Sequence, residues 1–156
     1  MLKFWIWMLC LTLLIEMRYL IDTNIFIFLV DNSDLLSKDV YSIMDDYSNT
    51  FYLSVESIKE LIVLIRNKRV KFKQWKSNVQ MIEAIENEFG IKILPIKREH
   101  LLTYARLEIN KVQDHNDPSD HIIISQAITE KIPLISSDQK FQFYTKQKLD
   151  FINNSK

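Results

Sequence analysis

The sequence predicts an α/β fold, a three-layer helix–sheet–helix sandwich around a central parallel sheet. Three observations lead there. Short apolar runs rich in β-branched and aromatic residues alternate along the chain with segments of helical period. The runs are buried-strand length and are separated by helices, which implies parallel crossovers. The first run, Tyr19-Leu20-Ile21, ends abruptly in a carboxylate, Asp22. In an open parallel sheet, ligands bind at the carboxyl ends of the strands, so an acid there is placed for chemistry.

The elements follow in order. Arg18 to Ile21 reads as the first strand, and Thr23 to Val30 as a helix capped from Asp22 or Thr23. Asp31-Asn32-Ser33-Asp34 is a turn signal. Apolar residues recur at helical spacing from Leu35 to Tyr47. Thr50 to Leu53 is a second strand, and Ser54 opens a helix to about Asn67 with Ile58, Leu61, Ile62 and Ile65 inward. A helix is expected from Phe72 to Phe89, stopped by Gly90, the only glycine. Ile91 to Ile96 is a third strand, and Arg98 to Asn110 a helix with Leu101 and Leu102 inward. Asp117-Pro118 marks a helix start, acid at the cap and proline in the first turn. Pro133 to Ser136 is a fourth strand, followed by a short helix holding Phe141 and Phe143. The expected domain covers residues 17–150, with 151–156 a loose tail.

Residues 1–16 stand apart. Their apolar stretch, Phe4 to Ile15, is short of the roughly 20 residues a membrane span needs. Lys3 in front gives it the look of a signal-peptide core, yet no small-residue cleavage site follows. The favoured expectation is that Met17 is the true start and the preceding residues an over-extended reading frame. If translated, they form an apolar arm outside the domain that can touch a membrane.

Composition narrows the function classes. With one glycine in 156 residues, a P-loop and a Rossmann glycine fingerprint are excluded. Cys10 is the single cysteine, so an internal disulfide and a cysteine zinc site are also excluded. A reducing compartment, the cytoplasm, fits best. Formal net charge is zero, which does not describe a generally basic nucleic-acid binder. Charge is local instead: Arg66, Lys68, Arg69, Lys71, Lys73 and Lys76 come with no acid among them. That run is either a solvated helix end or a patch for phosphates or for an acidic partner segment.

Four acids carry the functional reading: Asp22, Glu60, Asp120 and Asp138. Taken singly, each has a capping explanation. Asp22 and Asp138 precede helices, Glu60 stands three residues after Ser57, and Asp120 three after Asp117. Taken together, they converge. Asp22 and Asp138 end two strands of one sheet, and Glu60 and Asp120 lie in the first turns of helices that begin at the same rim. Four carboxylates at one spot repel one another and raise each other's pKa. A divalent cation relieves this, and Mg²⁺ and Mn²⁺ favour such oxygen ligands. A metal so held can activate water and offset charge on a phosphodiester.

Other residues are weighed beside these. Glu56, one turn before Glu60, reads as a solvated first-turn acid, with replacing Glu60 as the ligand the lesser alternative. Asp117 reads as the cap beside Pro118, with a metal role the lesser alternative. Thr23, Asn24, Ser136 and Ser137 are placed to donate hydrogen bonds to metal waters or phosphate, or to serve the turns. His100, His115 and His121 form no metal-ligand spacing. His100 is expected on an exposed helix face. The other two flank the acidic helix start and are expected at the surface or in capping roles, with substrate contact the lesser alternative. Trp75 and the remaining aromatics fall mostly at core spacing.

The motifs Tyr-Leu-Ile-Asp-Thr-Asn (19–24), Leu-Ser-Val-Glu-Ser-Ile-Lys-Glu-Leu (53–61), His-Asn-Asp-Pro-Ser-Asp-His-Ile-Ile-Ile-Ser-Gln-Ala (115–127) and Pro-Leu-Ile-Ser-Ser-Asp-Gln-Lys-Phe (133–141) resemble, in order and spacing, those of PIN-domain proteins. The closest group is the VapC-like toxins of type II toxin–antitoxin systems. The resemblance implies a PIN-like sandwich and places the family's acids on Asp22, Glu60, Asp120 and Asp138. It implies an Mg²⁺- or Mn²⁺-dependent endoribonuclease that cuts tRNA, rRNA or mRNA. It also implies a homodimer, silenced by a small antitoxin whose tail enters the active-site groove. This chain departs from the pattern at Ser119, where an aromatic is usual, at His121, where arginine is usual, and at Ser136, where threonine is common. A catalytically silent PIN-fold module that binds RNA or protein is the alternative.

Overall fold

The computed structural model describes residues 16–156. The expectations for residues 1–15 lie outside the described residues. Five parallel strands form one sheet: β1 (Arg18–Ile21), β2 (Thr50–Ser54), β3 (Lys92–Leu94), β4 (Leu134–Ser136) and β5 (Phe151–Asn153). Their spatial order is β3-β2-β1-β4-β5. The chain builds outward from β1 to β3, then returns to β1's other side. Strand order therefore reverses between β1 and β4, and in open parallel sheets the ligand crevice lies at the carboxyl ends of the strands flanking such a switch point.

Both faces of the sheet are covered, and the strands show it by alternation. Tyr19 and Ile21 of β1, Phe51 and Leu53 of β2 and Ile135 of β4 join one core with Ile25, Phe26, Val40, Ile58, Leu61, Met81 and Ile85. Leu20 and Leu134 point the other way, into a core with Ile123, Ile124, Ala127, Phe141 and Tyr144. Successive side chains of a strand face opposite sides, so a strand apolar at every position must be buried on both.

Among the described residues six α-helices complete the layers: α1 (Thr23–Asp31), α2 (Lys38–Asp45), α3 (Val55–Arg66), α4 (Asn78–Asn87), α5 (Arg98–Arg106) and α6 (Pro118–Glu130). A 3₁₀ helix, Gln139–Gln147, follows β4. Several starts are set by side-chain caps: Asp22 for α1, Ser37 for α2, Ser54 for α3, Ser77 for α4 and Asp117 for α6. Each such oxygen takes a backbone N–H that the helix itself leaves unpaired. No helix among the described residues is long and apolar enough to cross a membrane.

The sandwich and parallel sheet are as the sequence predicts, while several boundaries differ. The helix expected from residue 72 begins only at Asn78, because Ser77 caps it and accepts from the Gln80 N–H at 3.2 Å. Phe72 and Trp75 meet edge to face from the preceding loop, their ring centres 5.2 Å apart. Helix α5 stops at Arg106, and Leu101 and Leu102 are exposed rather than inward. His100 is the reverse: expected at the surface, it is buried. Its Nδ1 accepts from the Lys97 N–H at 3.0 Å, and its Nε2 lies 2.8 Å from Glu130 of α6. A polar ring can be taken inside when both nitrogens find partners.

The last correction concerns the tail. Residues 151–154 do not form a loose end: Phe151–Asn153 pairs with β4, and Asn154 is buried. The Asn154 Oδ1 accepts from the Ser37 N–H at 2.6 Å. Its Nδ2 donates to the Leu35 carbonyl and to Ser137 Oγ, each at 3.0 Å. Its shortness, two apolar residues before a polar end, concealed this strand, because its stability comes from partners far along the chain. Replacing Asn154→Ala leaves the buried Ser37 N–H without an acceptor, which costs about 1–3 kcal/mol. A lowered denaturant midpoint with unchanged secondary structure is the expected result. An unchanged midpoint would show that the tail adds nothing to the fold.

Candidate metal centre

The four acids reach the crevice from four segments. Asp22 ends β1 and caps α1. It is buried, and its Oδ1 accepts from the Thr23 N–H at 2.7 Å. Its Oδ2 accepts from Ser136 Oγ, at the end of β4, at 2.6 Å. The same hydroxyl oxygen accepts from the Asp138 N–H at 3.0 Å. One serine thus ties both strand-end acids together across the switch point.

Glu60, on α3, is half-buried, and its Oε2 accepts from Thr23 Oγ1 at 2.6 Å. Asp120, in the first turn of α6, is half-buried and lies 2.9 Å from His115 Nε2 through its Oδ2. Asp138 caps the 3₁₀ helix through the Lys140 N–H, at 2.9 Å. One ligand atom from each of His115, Asp120 and Asp138 lies within 4.8 Å of the others.

Electrostatics reflect this crowding. Asp22 is pushed up from an ordinary 3.8 to about 7, chiefly by burial. Its hydrogen bond from Ser136 opposes that shift, and the charges of Asp120 and Glu60 add to it. Asp120 also rises to about 7, through burial and then repulsion from Asp117, Glu60 and Asp138, with Lys140 opposing. His115 is lowered, chiefly by its burial, which favours the neutral imidazole, while the charges of Asp138, Asp117 and Asp22 oppose the shift. Among the described residues no lysine or arginine forms an ion pair with any of the four acids. Oxygen donors crowded in this way fit a hard divalent cation such as Mg²⁺ or Mn²⁺.

The remaining candidates divide. Thr23 and Ser136 bond directly to the acids. Asn24 is exposed at the start of α1. Ser137 faces Asn154 instead of the acids. Asp117 is an exposed cap whose Oδ1 accepts from the Ser119 N–H at 2.9 Å, and it reaches Asp120 only through its charge. The lysines and arginines between Arg66 and Lys76 are exposed, most of them in the loop between α3 and α4.

Glu56 is not the solvated acid expected. It is buried, pairs with Lys59, and accepts from Ser119 Oγ at 3.0 Å, linking the start of α3 to the start of α6. His115 and His121 are not surface groups either. His121 Nε2 lies 2.9 Å from the His115 carbonyl, and the His115 ring packs among His121, Phe141 and Tyr144. Sequence reasoning gave His115 a site role only as the lesser alternative, a substrate contact, and overlooked Tyr144. His115 offered one signal, a position five residues before Asp120 in the loop that leads into α6. Tyr144 offered none, because it arrives from the C-terminal 3₁₀ helix.

The PIN domain family model matches residues 19–146. The chain belongs to the PIN domain family. Its fold is shared with chains of three solved complexes. The first is VapBC2 from Rickettsia felis bound to a promoter DNA fragment, at 20% identity and TM-score 0.66, covering 89% of this chain and 100% of that one. The second is VapBC-1 from nontypeable Haemophilus influenzae, at 22% identity and TM-score 0.63, covering 90% and 100%. The third is VapBC-5 from Mycobacterium tuberculosis, a member of the VapBC family of toxin–antitoxin systems, at 19% identity and TM-score 0.54, covering 87% and 98%. No curated protein matches the chain.

The raised carboxyls of this PIN domain make its stability depend on pH. A carboxyl with a folded value above its unfolded one favours the fold only while protonated. Its ionisation is costless near pH 4 and below, and the cost grows as pH rises and is complete above about 7. A rise from 3.8 to about 7 at Asp22 corresponds to ~4 kcal/mol at most. Asp22 and Asp120 titrate as one cluster, so their contributions do not add. Metal-free protein is therefore expected to melt several degrees lower at pH 8 than at pH 5.5. Asp22→Asn should remove much of that difference, and a flat melting profile in the wild type would contradict the charge crowding.

Proposed function

We propose that this protein is a metal-dependent endoribonuclease and the toxin of a toxin–antitoxin pair. The observation that carries the reading is the crowding of four carboxylates from separate segments at one end of the sheet, with no lysine or arginine paired to them among the described residues. Membership of the PIN family supports the reaction class. An antitoxin partner is supported by the relatives of like fold, which were solved in VapBC complexes.

Mg²⁺ or Mn²⁺ bound here would supply Lewis acidity to an RNA phosphodiester and lower the pKa of a bound water. Asp22 is the anchoring ligand, since Ser136 and the Thr23 N–H already fix both its oxygens. Glu60 and Asp120 complete the site. Asp138 holds a second ion or orients the attacking water. Asn24, exposed at the rim, can donate to substrate phosphate. The active form is a homodimer, and the antitoxin silences it by entering the groove.

Purified protein with Mg²⁺ or Mn²⁺ is expected to cut RNA internally, and chelation or Asp22→Ala to abolish cutting while circular dichroism stays native. Equal cutting by wild type and variant would reject the assignment. Absence of cutting, together with no thermal stabilisation by Mn²⁺, would favour a catalytically silent binding module instead.

A further inference from the structure

His115 is held more elaborately than a core histidine needs. Its N–H donates to the Asn110 carbonyl at 3.0 Å, and its own carbonyl lies 2.9 Å from His121 Nε2. The ring's Nδ1 is 2.9 Å from the Tyr144 hydroxyl, and its Nε2 is 2.9 Å from Asp120 Oδ2.

The proton count along this row has one fully satisfied solution. The Asn110 N–H donates to the Tyr144 oxygen at 3.2 Å, so the hydroxyl must place its own proton elsewhere. Among the described residues the only acceptor it meets is His115 Nδ1. Nδ1 is then unprotonated, so the neutral ring carries its proton on Nε2 and donates it to Asp120. The opposite tautomer would strand the tyrosine proton in a buried place, at a cost of about 1–3 kcal/mol.

We propose that His115 is a positioning residue for Asp120: the Tyr144 hydroxyl fixes its Nε2–H tautomer, and Nε2–H pins Asp120 Oδ2 so that Oδ1 is the oxygen presented to a divalent cation. The inference rests on the metal-centre reading above. It makes His115 a donor to the carboxylate and not a ligand of the cation, although one of its nitrogens lies within 4.8 Å of an oxygen of both Asp120 and Asp138. Partners that orient a ligand in this way typically alter metal affinity 10–100-fold when lost.

Nitrogen-15 NMR of the histidine rings in metal-free protein tests the hydrogen-bond assignment without reference to activity. The expected result is the Nε2–H tautomer at His115, retained when Mg²⁺ is added. An Nδ1–H tautomer in either state would overturn the proposal. Mn²⁺ titration by calorimetry tests the positioning. His115→Ala should weaken Mn²⁺ binding about tenfold or more, while His115→Gln, whose amide can reach the same carboxylate, should recover most of it. Tyr144→Phe should mix the tautomers and weaken binding. Equal affinity in wild type and a folded His115→Ala protein would overturn the positioning role. Failure of the wild type to bind Mn²⁺ while showing the Nε2–H tautomer would instead sink the metal-centre reading, and the positioning role with it.

Discussion

A single hydroxyl, Ser136 Oγ, organises the site. It donates to Asp22 at the end of β1 and accepts from the backbone of Asp138 just past β4. Those strands are neighbours only because strand order reverses between them. The bond does two things at once. It compensates part of the cost of burying an acid, and it fixes where the β4 segment leaves the sheet. A threonine, common at this position in the family, would keep the same hydroxyl.

The other acids are secured by the same device. Each sits on its own element and is held by a donor from another. Thr23, at the start of α1, holds Glu60 of α3. His115, in the loop before α6, reaches Asp120. The Glu56–Ser119 bond joins the starts of α3 and α6, the helices bearing Glu60 and Asp120. Hydrogen bonds between elements thus keep like charges together that would otherwise drift apart. Rigid placement of ligands before a cation arrives lowers the reorganisation that binding requires.

The alternation of strands and helices was legible in the sequence because side-chain period and cap chemistry are local properties. Asp22, Ser54, Asp117 and Asp138 announce element boundaries by residue type alone, and each does cap. Local pattern misled where a tertiary partner took over. Phe72 and Trp75 carry helical spacing but belong to a loop, since Ser77 caps the helix after them. Glu56 reads as a solvated acid until Ser119 of α6 meets it.

By itself, then, the sequence determined the layered α/β class, the order of its main elements and that Asp22, Asp120 and Asp138 stand at strand ends or helix starts, whereas Glu60, expected in a first turn, lies further into α3. What was legible depends on neighbours within a turn or two. Only the tertiary structure decided that Tyr144 reaches His115 across 29 positions and that Asn154 reaches Ser37 across 117. Such pairings follow from strand order, which brings remote segments side by side, and nothing in the local run of side chains encodes that order.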